Sequence, residues 1–194
     1  LLVYMLGLKK NENKLDLDKY NRYKKQIDQT LAELNEYLCA HIENQIDAGA
    51  DVVQIFDSWA GLIPEKDIKS FCYIPNKKIV DFCKSKKIVT ICFPKGIKEN
   101  YEVFNNFVKP DGINLDAELD PTWAKDKLKN VVLQGGLSPK ILLKSNEDML
   151  EAAAKYLKTF KDFPYVFNLG HGLLPETDPV KLEMLINFYR NYNE

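Results

Sequence analysis

Short apolar runs that suit β-strands alternate with helix-like patterns along the whole of this sequence. The runs are rich in β-branched and aromatic residues, and no two of them are close enough to pair as a hairpin. Strands that are separated by helices pair in parallel, so the sequence predicts a parallel sheet. The six predicted strands lie at residues 1–5, 51–56, 87–93, 112–115, 130–134 and 165–167.

Helices are predicted between these strands. Apolar residues at three- and four-residue intervals from Ile27 to Ile42 predict one long amphipathic helix, which Gly49 ends. The predicted helices lie at residues 17–48, 64–84 (which Pro75 can split), 101–107, 121–127, from Ser138 onward, 146–161 and 179–189.

This alternation is typical of an α/β protein, either a doubly wound sheet or a (β/α)8 TIM barrel. Neither GxGxxG nor GxxxxGK follows a predicted strand, and polar residues stand at the carboxyl ends of at least five strands, which favours the barrel. The sequence therefore predicts about six strand–helix units of a single barrel domain across residues 1–194. Because a closed barrel has eight strands, two are expected to precede Leu1.

The balance of charge gives no reason to expect a nucleic-acid or membrane partner. The sequence carries 27 basic and 28 acidic residues, for a net charge of −1, so no long-range field attracts polyanions. Arg22 and Arg190 are the only arginines. A bidentate clamp on a carboxylate would therefore have to come from elsewhere.

The cysteines indicate a reducing cytoplasm. Cys39, Cys72, Cys83 and Cys92 are scattered without a CxxC pair, and a domain of this size needs no disulfide. The apolar runs are too short for a transmembrane helix, and no basic-then-apolar leader is seen. We expect a cytoplasmic location.

The most distinctive turn follows the last predicted strand. Gly170 and Gly172 flank His171, and glycines that accept positive φ would carry this imidazole on a sharp turn at the carboxyl end of a strand, where α/β barrels keep their chemistry. Asp178 then precedes Pro179 as the N-cap of the next helix. The alternative is that His171 is a turn residue hydrogen-bonded to nearby backbone.

Other polar residues near strand ends have similar alternatives. Ser58 follows its strand and either binds a polar substrate or caps the next helix; Phe56 stands where a nucleophile elbow has glycine, which argues against serine-hydrolase chemistry. Tyr4, between Val3 and Met5, is either a core aromatic or a site residue. The remaining candidates are Lys95, which could face an anion, and Asp116, which could be an ordinary turn aspartate.

The sequence predicts no metal site, because its two histidines and four cysteines never fall at ligand spacing. A phosphate site is the other possibility for the glycine-rich turns. The pairs Gly135–Gly136 and Gly170/Gly172 lie where barrels often bind phosphate, after the last two strands.

Four segments together resemble the uroporphyrinogen decarboxylase family over essentially the whole chain: LLVYML, GADVVQIFDSWAGLI, VVLQGGLSP and FNLGHGLLPETDP. The resemblance implies a (β/α)8 barrel that forms homodimers and needs no cofactor or metal. It implies removal of CO2 from the four acetate side chains of uroporphyrinogen III to give coproporphyrinogen III in porphyrin and haem biosynthesis.

By motif, the resemblance places Tyr4 and His171 at catalytic and substrate-binding positions and Ser58 at a substrate-binding position. Lys95, in FPKG, matches a lysine common at that turn. The family's arginine-rich segment and the aspartate that binds the pyrrole NH groups have no counterpart in this sequence. These implied parts are expected upstream, together with the two remaining strands.

The sequence departs from the family pattern at two loops. Gly136 and Ser138 stand where QGNLDP is usual, and Ala117 follows Leu115-Asp116 where LDW is common. The first change removes an Asn and an Asp, and the second removes an aromatic ring, so substrate contacts near these loops are expected to differ.

Two rival interpretations remain. Corrinoid or thiol methyltransferases of the same superfamily bind zinc through His-x-Cys and a later cysteine, where this chain has Thr90-Ile91-Cys92 and His171. In the other interpretation the chain is an inactive barrel piece with exposed sheet edges.

Overall fold

The computed structural model describes residues 2–11 and 14–192, which divide into two compact units, Leu1–Gly112 and Ile113–Glu194. The first unit contains α1 (Leu2–Met5), β1 (Lys9–Asn11), β2 (Lys14–Leu15), α2 (Leu17–Asp47), β3 (Val52–Asp57), α3 (Glu65–Ile68), α4 (Ile74–Ser85), β4 (Val89–Pro94) and α5 (Tyr101–Val108).

The second unit begins within β5 (Gly112–Leu115), whose first residue closes the first unit. It continues with α6 (Pro121–Lys127), β6 (Val132–Gly135), α7 (Asn146–Thr159), β7 (Tyr165–Val166) and α8 (Pro179–Arg190). Within this unit the strands lie in the order β5, β6, β7.

The pairing confirms the predicted α/β alternation and parallel strands. In the first unit β3 and β4 pair in parallel from Val52 opposite Val89 to Asp57 opposite Pro94. In the second unit β6 and β7 pair in parallel, and a bridge from Leu137 to Leu169 extends the pairing. The fold is therefore α/β, in the pattern of part of a (β/α)8 barrel.

Among the described residues the structure has five strands of this kind rather than six, because the prediction of a strand at 1–5 is wrong. Leu1 lies outside the described residues, and the next four form α1. Gly7 ends this helix with φ +56°; its N–H donates to Tyr4 O (3.1 Å) and the N–H of Leu8 donates to Val3 O (2.9 Å). This is a Schellman cap, and glycine followed by an apolar residue is its sequence signal.

The structure also contains a hairpin that the sequence did not predict. β1 and β2 pair antiparallel, with Lys9 opposite Leu15, although the stretch is polar and lysine-rich. Leu8, just before β1, and Leu15, the last residue of β2, are buried in a cluster with Leu2, Val3, Tyr20, Ile27 and Phe71. Burial of these two leucines, rather than strand propensity, holds the hairpin.

The predicted helices are confirmed with small changes. Asp16 caps α2 by accepting from Lys19 N at 3.0 Å, and Asp178 caps α8 by accepting from Val180 N at 2.9 Å, as predicted. The helix predicted at 64–84 contains a π-helical turn at Lys69–Tyr73 just before Pro75. The helix predicted from Ser138 is a 3₁₀-helix, Pro139–Leu143.

Each unit has its own apolar core. In the first unit α2, β3 and α4 meet through Ile42, Val53, Ile79 and Cys83. In the second unit Leu137, Leu142, Met149, Ala153 and Leu185 form the buried cluster. These cores fix the strand ends from which the candidate site residues project.

Candidate active site

Ser58 lies directly after β3 and is exposed. The following 3₁₀-helix, Ala60–Leu62, has Trp59 as its N-cap and receives no side-chain cap hydrogen bond. The alternative that Ser58 caps the next helix is therefore not what the structure shows. Its exposed hydroxyl can donate to or accept from a polar ligand.

Lys95 follows β4, and its turn is tied to the turn after β3. The N–H of Lys95 donates to Asp57 O at 3.2 Å, and the carbonyl of Lys95 accepts from Gly61 N at 2.9 Å. A Cβ atom on Gly61 would lie 2.3 Å from the carbonyl oxygen of Gly96. Only glycine permits this approach, so Ser58 and Lys95 are held at neighbouring strand ends by backbone contacts.

Tyr4 is not a core aromatic. Its side chain is 73% exposed, and its ring lies against Trp59, with centroids 4.1 Å apart and planes inclined at 49°. Trp59 is partly buried against the cluster beneath α1. The structure thus places Tyr4 beside the Ser58 turn, on a helix that the sequence did not predict.

Asp57 is a residue of this region whose environment the sequence analysis missed. Its Oδ2 accepts from Asn76 Nδ2 at 3.0 Å, and the carboxyl also accepts from the thiol of Cys72. Burial raises the pKa of the Asp57 carboxyl above its usual value, although the hydrogen bonds from Cys72 and Asn76 oppose this. The only sequence signal was the alternation of the strand, which puts Asp57 on the same face as Val53 and Ile55, the face that packs against the helices.

His171 lies in the second unit, in a bend that follows the bridge residue Leu169. The imidazole is exposed, and among the described residues no hydrogen bond to its ring is seen. The alternative of a turn histidine bonded to nearby backbone is therefore not what the structure shows. An exposed imidazole is free to exchange protons with a ligand.

The glycines beside His171 act differently from the prediction. Neither Gly170 nor Gly172 has positive φ. Gly170 is required because a Cβ there would lie 2.6 Å from Ala117 N, whereas Gly172 has open space. The turn is therefore shaped by close packing of Gly170 on the loop after β5.

Gly135 and Gly136 are not an open phosphate cradle. Both have positive φ, +75° and +94°, but a Cβ on Gly135 would meet Asn114 Oδ1 at 2.7 Å and one on Gly136 would meet Tyr156 at 2.9 Å. Their carbonyls accept from Tyr165 Oη and Tyr156 Oη, each at 2.7 Å. Protein groups fill the space that a phosphate would occupy.

The departures from the family pattern lie in this second unit. Asp116 is buried, and its carbonyl accepts from Leu119 N at 3.2 Å, which is a turn. Ala117 packs against Gly170. The small side chain at 117 therefore leaves room for the loop that carries His171.

Tyr4, Ser58 and Lys95 lie in the first unit, and His171 lies in the second unit.

Within the described ranges, no three His, Cys, Asp or Glu side chains are grouped as metal ligands. Cys92 is buried in β4, and burial raises the pKa of its thiol. Over the same ranges, no helix is long and apolar enough to cross a membrane.

A solved structure shares this fold. A methyltransferase from Methanosarcina mazei aligns over 91% of this chain and 53% of its own length, with a TM-score of 0.73 and 17% sequence identity. At that identity the likeness shows the fold alone.

Two curated relatives of this chain have the same name. A uroporphyrinogen decarboxylase of Orientia tsutsugamushi (strain Boryong) is 36% identical over 100% of this chain and 58% of the relative. A uroporphyrinogen decarboxylase of Rickettsia felis is 39% identical over 83% of this chain and 47% of the relative. This chain thus spans about half the length of the curated relatives it matches. The uroporphyrinogen decarboxylase (URO-D) family model matches residues 1–192, so the chain belongs to the uroporphyrinogen decarboxylase family.

Proposed function

We propose that the protein containing this chain is a carboxy-lyase that removes the four acetate carboxyls of uroporphyrinogen III as CO2, giving coproporphyrinogen III for haem biosynthesis. The observation that carries the proposal is the family match over residues 1–192. The activity is proposed for the full-length protein. The Orientia tsutsugamushi relative aligns with 100% of this chain, but this alignment covers only 58% of the relative.

Four side chains of this chain suit a polycarboxylate substrate. Tyr4 is 73% exposed, and Ser58 and His171 are exposed. Each offers a hydrogen bond to a carboxyl group, and the imidazole of His171 can also donate or accept a proton. Lys95 adds a cation at the end of β4. We assign catalysis to His171 and Tyr4, and substrate binding to these two with Ser58 and Lys95.

The chemistry demands electrostatic stabilisation. Loss of CO2 from an acetate on a pyrrole follows protonation of the ring, so positive charge develops on the macrocycle and a fixed carboxylate beneath the ring NH groups stabilises it. Asp57 does not suit this role, because its carboxyl is engaged by Asn76 and the Cys72 thiol. The proposal therefore assigns that carboxylate to the part of the full-length protein outside this chain.

We also propose that residues 1–194 are the C-terminal part of one barrel domain. Five strands do not close a (β/α)8 barrel, and in the first unit β3 has β4 as its only described neighbour. Further strands of the full-length protein would complete the ring. By resemblance to the family, we propose that the protein is a cytoplasmic homodimer, which sedimentation and cell fractionation test.

The test is turnover of uroporphyrinogen III by purified full-length protein, followed by chromatographic separation of the seven-, six-, five- and four-carboxyl products. We expect stepwise conversion to coproporphyrinogen III. The chain of residues 1–194 expressed alone is expected to be inactive and poorly soluble. Full activity or cooperative melting of a soluble monomer by that shorter chain would contradict the domain proposal.

The same preparation tests the rival activity. Stoichiometric zinc in the active full-length protein, with methyl transfer and no decarboxylation, would replace the proposal by the methyltransferase alternative. Neither activity in a folded full-length protein would indicate an inactive member of the family.

A further inference from the structure

Two side chains of the first unit, those of Tyr4 and Lys9, lie against one indole ring. The Tyr4 ring lies 4.1 Å from the Trp59 ring, centroid to centroid, and Lys9 Nζ lies 5.4 Å from the centroid of the Trp59 ring. Trp59 directly follows Ser58. The indole therefore connects a predicted catalytic tyrosine, a predicted substrate-binding serine and a lysine that the sequence analysis did not single out.

The backbone holds Lys9 in this place. Leu8, immediately before it, is fully buried, with 0% exposure, and the carbonyl of Leu8 accepts from Asp16 N at 2.7 Å. Lys9 then begins β1 and pairs with Leu15 across the hairpin. The long side chain of Lys9 is exposed. Its backbone is held by the hairpin pairing, and its ammonium group lies over the Trp59 ring.

Lys9 carries a charge that the described residues do not neutralise. The ion pairs seen among them join Lys24 to Asp67, Lys77 to Asp81 and Lys86 to Glu43. Over an aromatic face an ammonium group loses part of its hydration and keeps its positive charge. It therefore presents a cation, next to an exposed tyrosine, that an anionic ligand can neutralise.

We infer that Lys9 binds a carboxylate of the macrocyclic substrate and that Trp59 is a positioning residue for both Lys9 and Tyr4. This inference rests on the proposed function. Uroporphyrinogen carries eight carboxylates, and 25 of the 27 basic residues of this chain are lysines, so lysines are the main cations that this chain can contribute. A partly exposed ion pair of this kind changes affinity by up to about fivefold.

The test compares Lys9→Met with Lys14→Met in the full-length protein. Lys14 is an exposed lysine on the other strand of the same hairpin, so the two substitutions remove the same charge from the same element. We expect Lys9→Met to raise KM for uroporphyrinogen about fivefold with kcat within about twofold, and to weaken the salt dependence of kcat/KM. Lys9→Arg should restore KM. Equal kinetics for Lys9→Met and Lys14→Met would overturn the inference.

A binding measurement separates this inference from the proposed function. The probes are uroporphyrin, an octacarboxylate, and coproporphyrin, a tetracarboxylate, titrated against the full-length protein and followed by fluorescence. We expect Lys9→Met to weaken uroporphyrin binding more than coproporphyrin binding. Wild-type protein that neither binds nor converts the substrate would refute the proposed function itself, whereas normal wild-type activity with identical Lys9→Met and wild-type affinities would refute only the role of Lys9.

The positioning role of Trp59 has its own test. Trp59→Phe keeps an aromatic face for Tyr4 and Lys9, whereas Trp59→Leu removes it. We expect Trp59→Leu to raise KM and lower kcat, and Trp59→Phe to stay near wild type. In the Trp59→Leu background, Lys9→Met should add little further loss, because the two residues act together. Additive effects, or equal losses in both Trp59 variants, would overturn the positioning role.

Discussion

Gly61 and Gly96 lie backbone against backbone at the carboxyl ends of β3 and β4. A Cβ atom on Gly61 would lie 2.3 Å from the carbonyl oxygen of Gly96 and 2.7 Å from its Cα. The adjacent hydrogen bond from Gly61 N to Lys95 O, at 2.9 Å, joins the same two turns. This contact determines where Ser58 and Lys95 are presented.

The first prediction follows from that contact. Gly61→Ala forces the two turns apart, and we expect it to lower the free energy of unfolding by about 1–3 kcal/mol and kcat/KM by about tenfold or more. Gly172→Ala is the matched control for stability, because the space at Gly172 is open. Chemical denaturation and steady-state kinetics measure both effects, and equal stability of the two variants would contradict the prediction.

The second prediction concerns Asp57. Burial raises the pKa of its carboxyl above 3.8, so the folded state binds this proton more tightly than the unfolded state does. Its contribution therefore makes stability fall as pH rises from 3.8 through the higher pKa of the folded state. Asp57→Asn keeps an oxygen that accepts from Asn76, and we expect a higher unfolding temperature at neutral pH and a weaker pH dependence.

The exposed Asp51, just before the same strand, is the control for Asp57. Asp51→Asn should change the free energy of unfolding by less than about 0.5 kcal/mol. Thermal unfolding measured from pH 4 to 8 distinguishes the two variants. A lower unfolding temperature for Asp57→Asn at every pH would show that the ionised carboxylate stabilises the fold.

The third prediction concerns Asp67, whose contribution to stability changes with pH in the opposite direction from that of Asp57. Lys24 Nζ lies 2.7 Å from Asp67 Oδ1, and Tyr20 Oη donates to Asp67 Oδ2 at 2.8 Å. The hydrogen bond from Lys24, and then that from Tyr20, lowers the pKa of Asp67 below 3.8 despite its burial. Its stabilisation is complete above 3.8 and is lost as pH falls through the lower pKa of the folded state.

Asp67→Asn should therefore destabilise the protein at neutral pH, by about 1–3 kcal/mol, and reduce the loss of stability on acidification. Asp81→Asn is the comparison, because Asp81 pairs with Lys77 on the exposed face of α4 with 54% of its side chain exposed. That pair contributes about 0.3–0.5 kcal/mol. Urea unfolding at pH 7 and pH 3 measures the free energy of unfolding of both variants. The loss at pH 7 should be larger for Asp67→Asn than for Asp81→Asn.

The fourth prediction concerns His171. The side chain is exposed, so His171→Ala should leave the melting temperature unchanged and lower decarboxylation by about a hundredfold or more. The other histidine, His41, contacts Gln45 Nε2 at 3.0 Å on α2, and His41→Ala should keep full activity. A His171 variant that unfolds would instead assign the imidazole a structural role.

Local sequence rules predicted most of the elements. β5 and α6 have the predicted bounds, because a short buried run and an Asp-Pro start are strong local signals. The strand predicted at residues 1–5 failed, since a single helical turn buries Leu2 and Val3 and leaves Tyr4 and Met5 exposed. Gly7 and Leu8, which cap that turn, decide between the two structures.

The sequence by itself determined the alternation of strands and helices and the family, because periodicity and motifs are properties of neighbouring residues; it also supplied Tyr4, Ser58, Lys95 and His171 as the proposed site residues. Only the tertiary structure decided that Tyr4 is exposed against Trp59, that Lys9 lies over the same ring and that Asp57 is engaged by Asn76. Each of these contacts joins residues distant in the chain. The packing that determines how exposed these side chains are, and how readily they carry charge, exists only once the chain has folded.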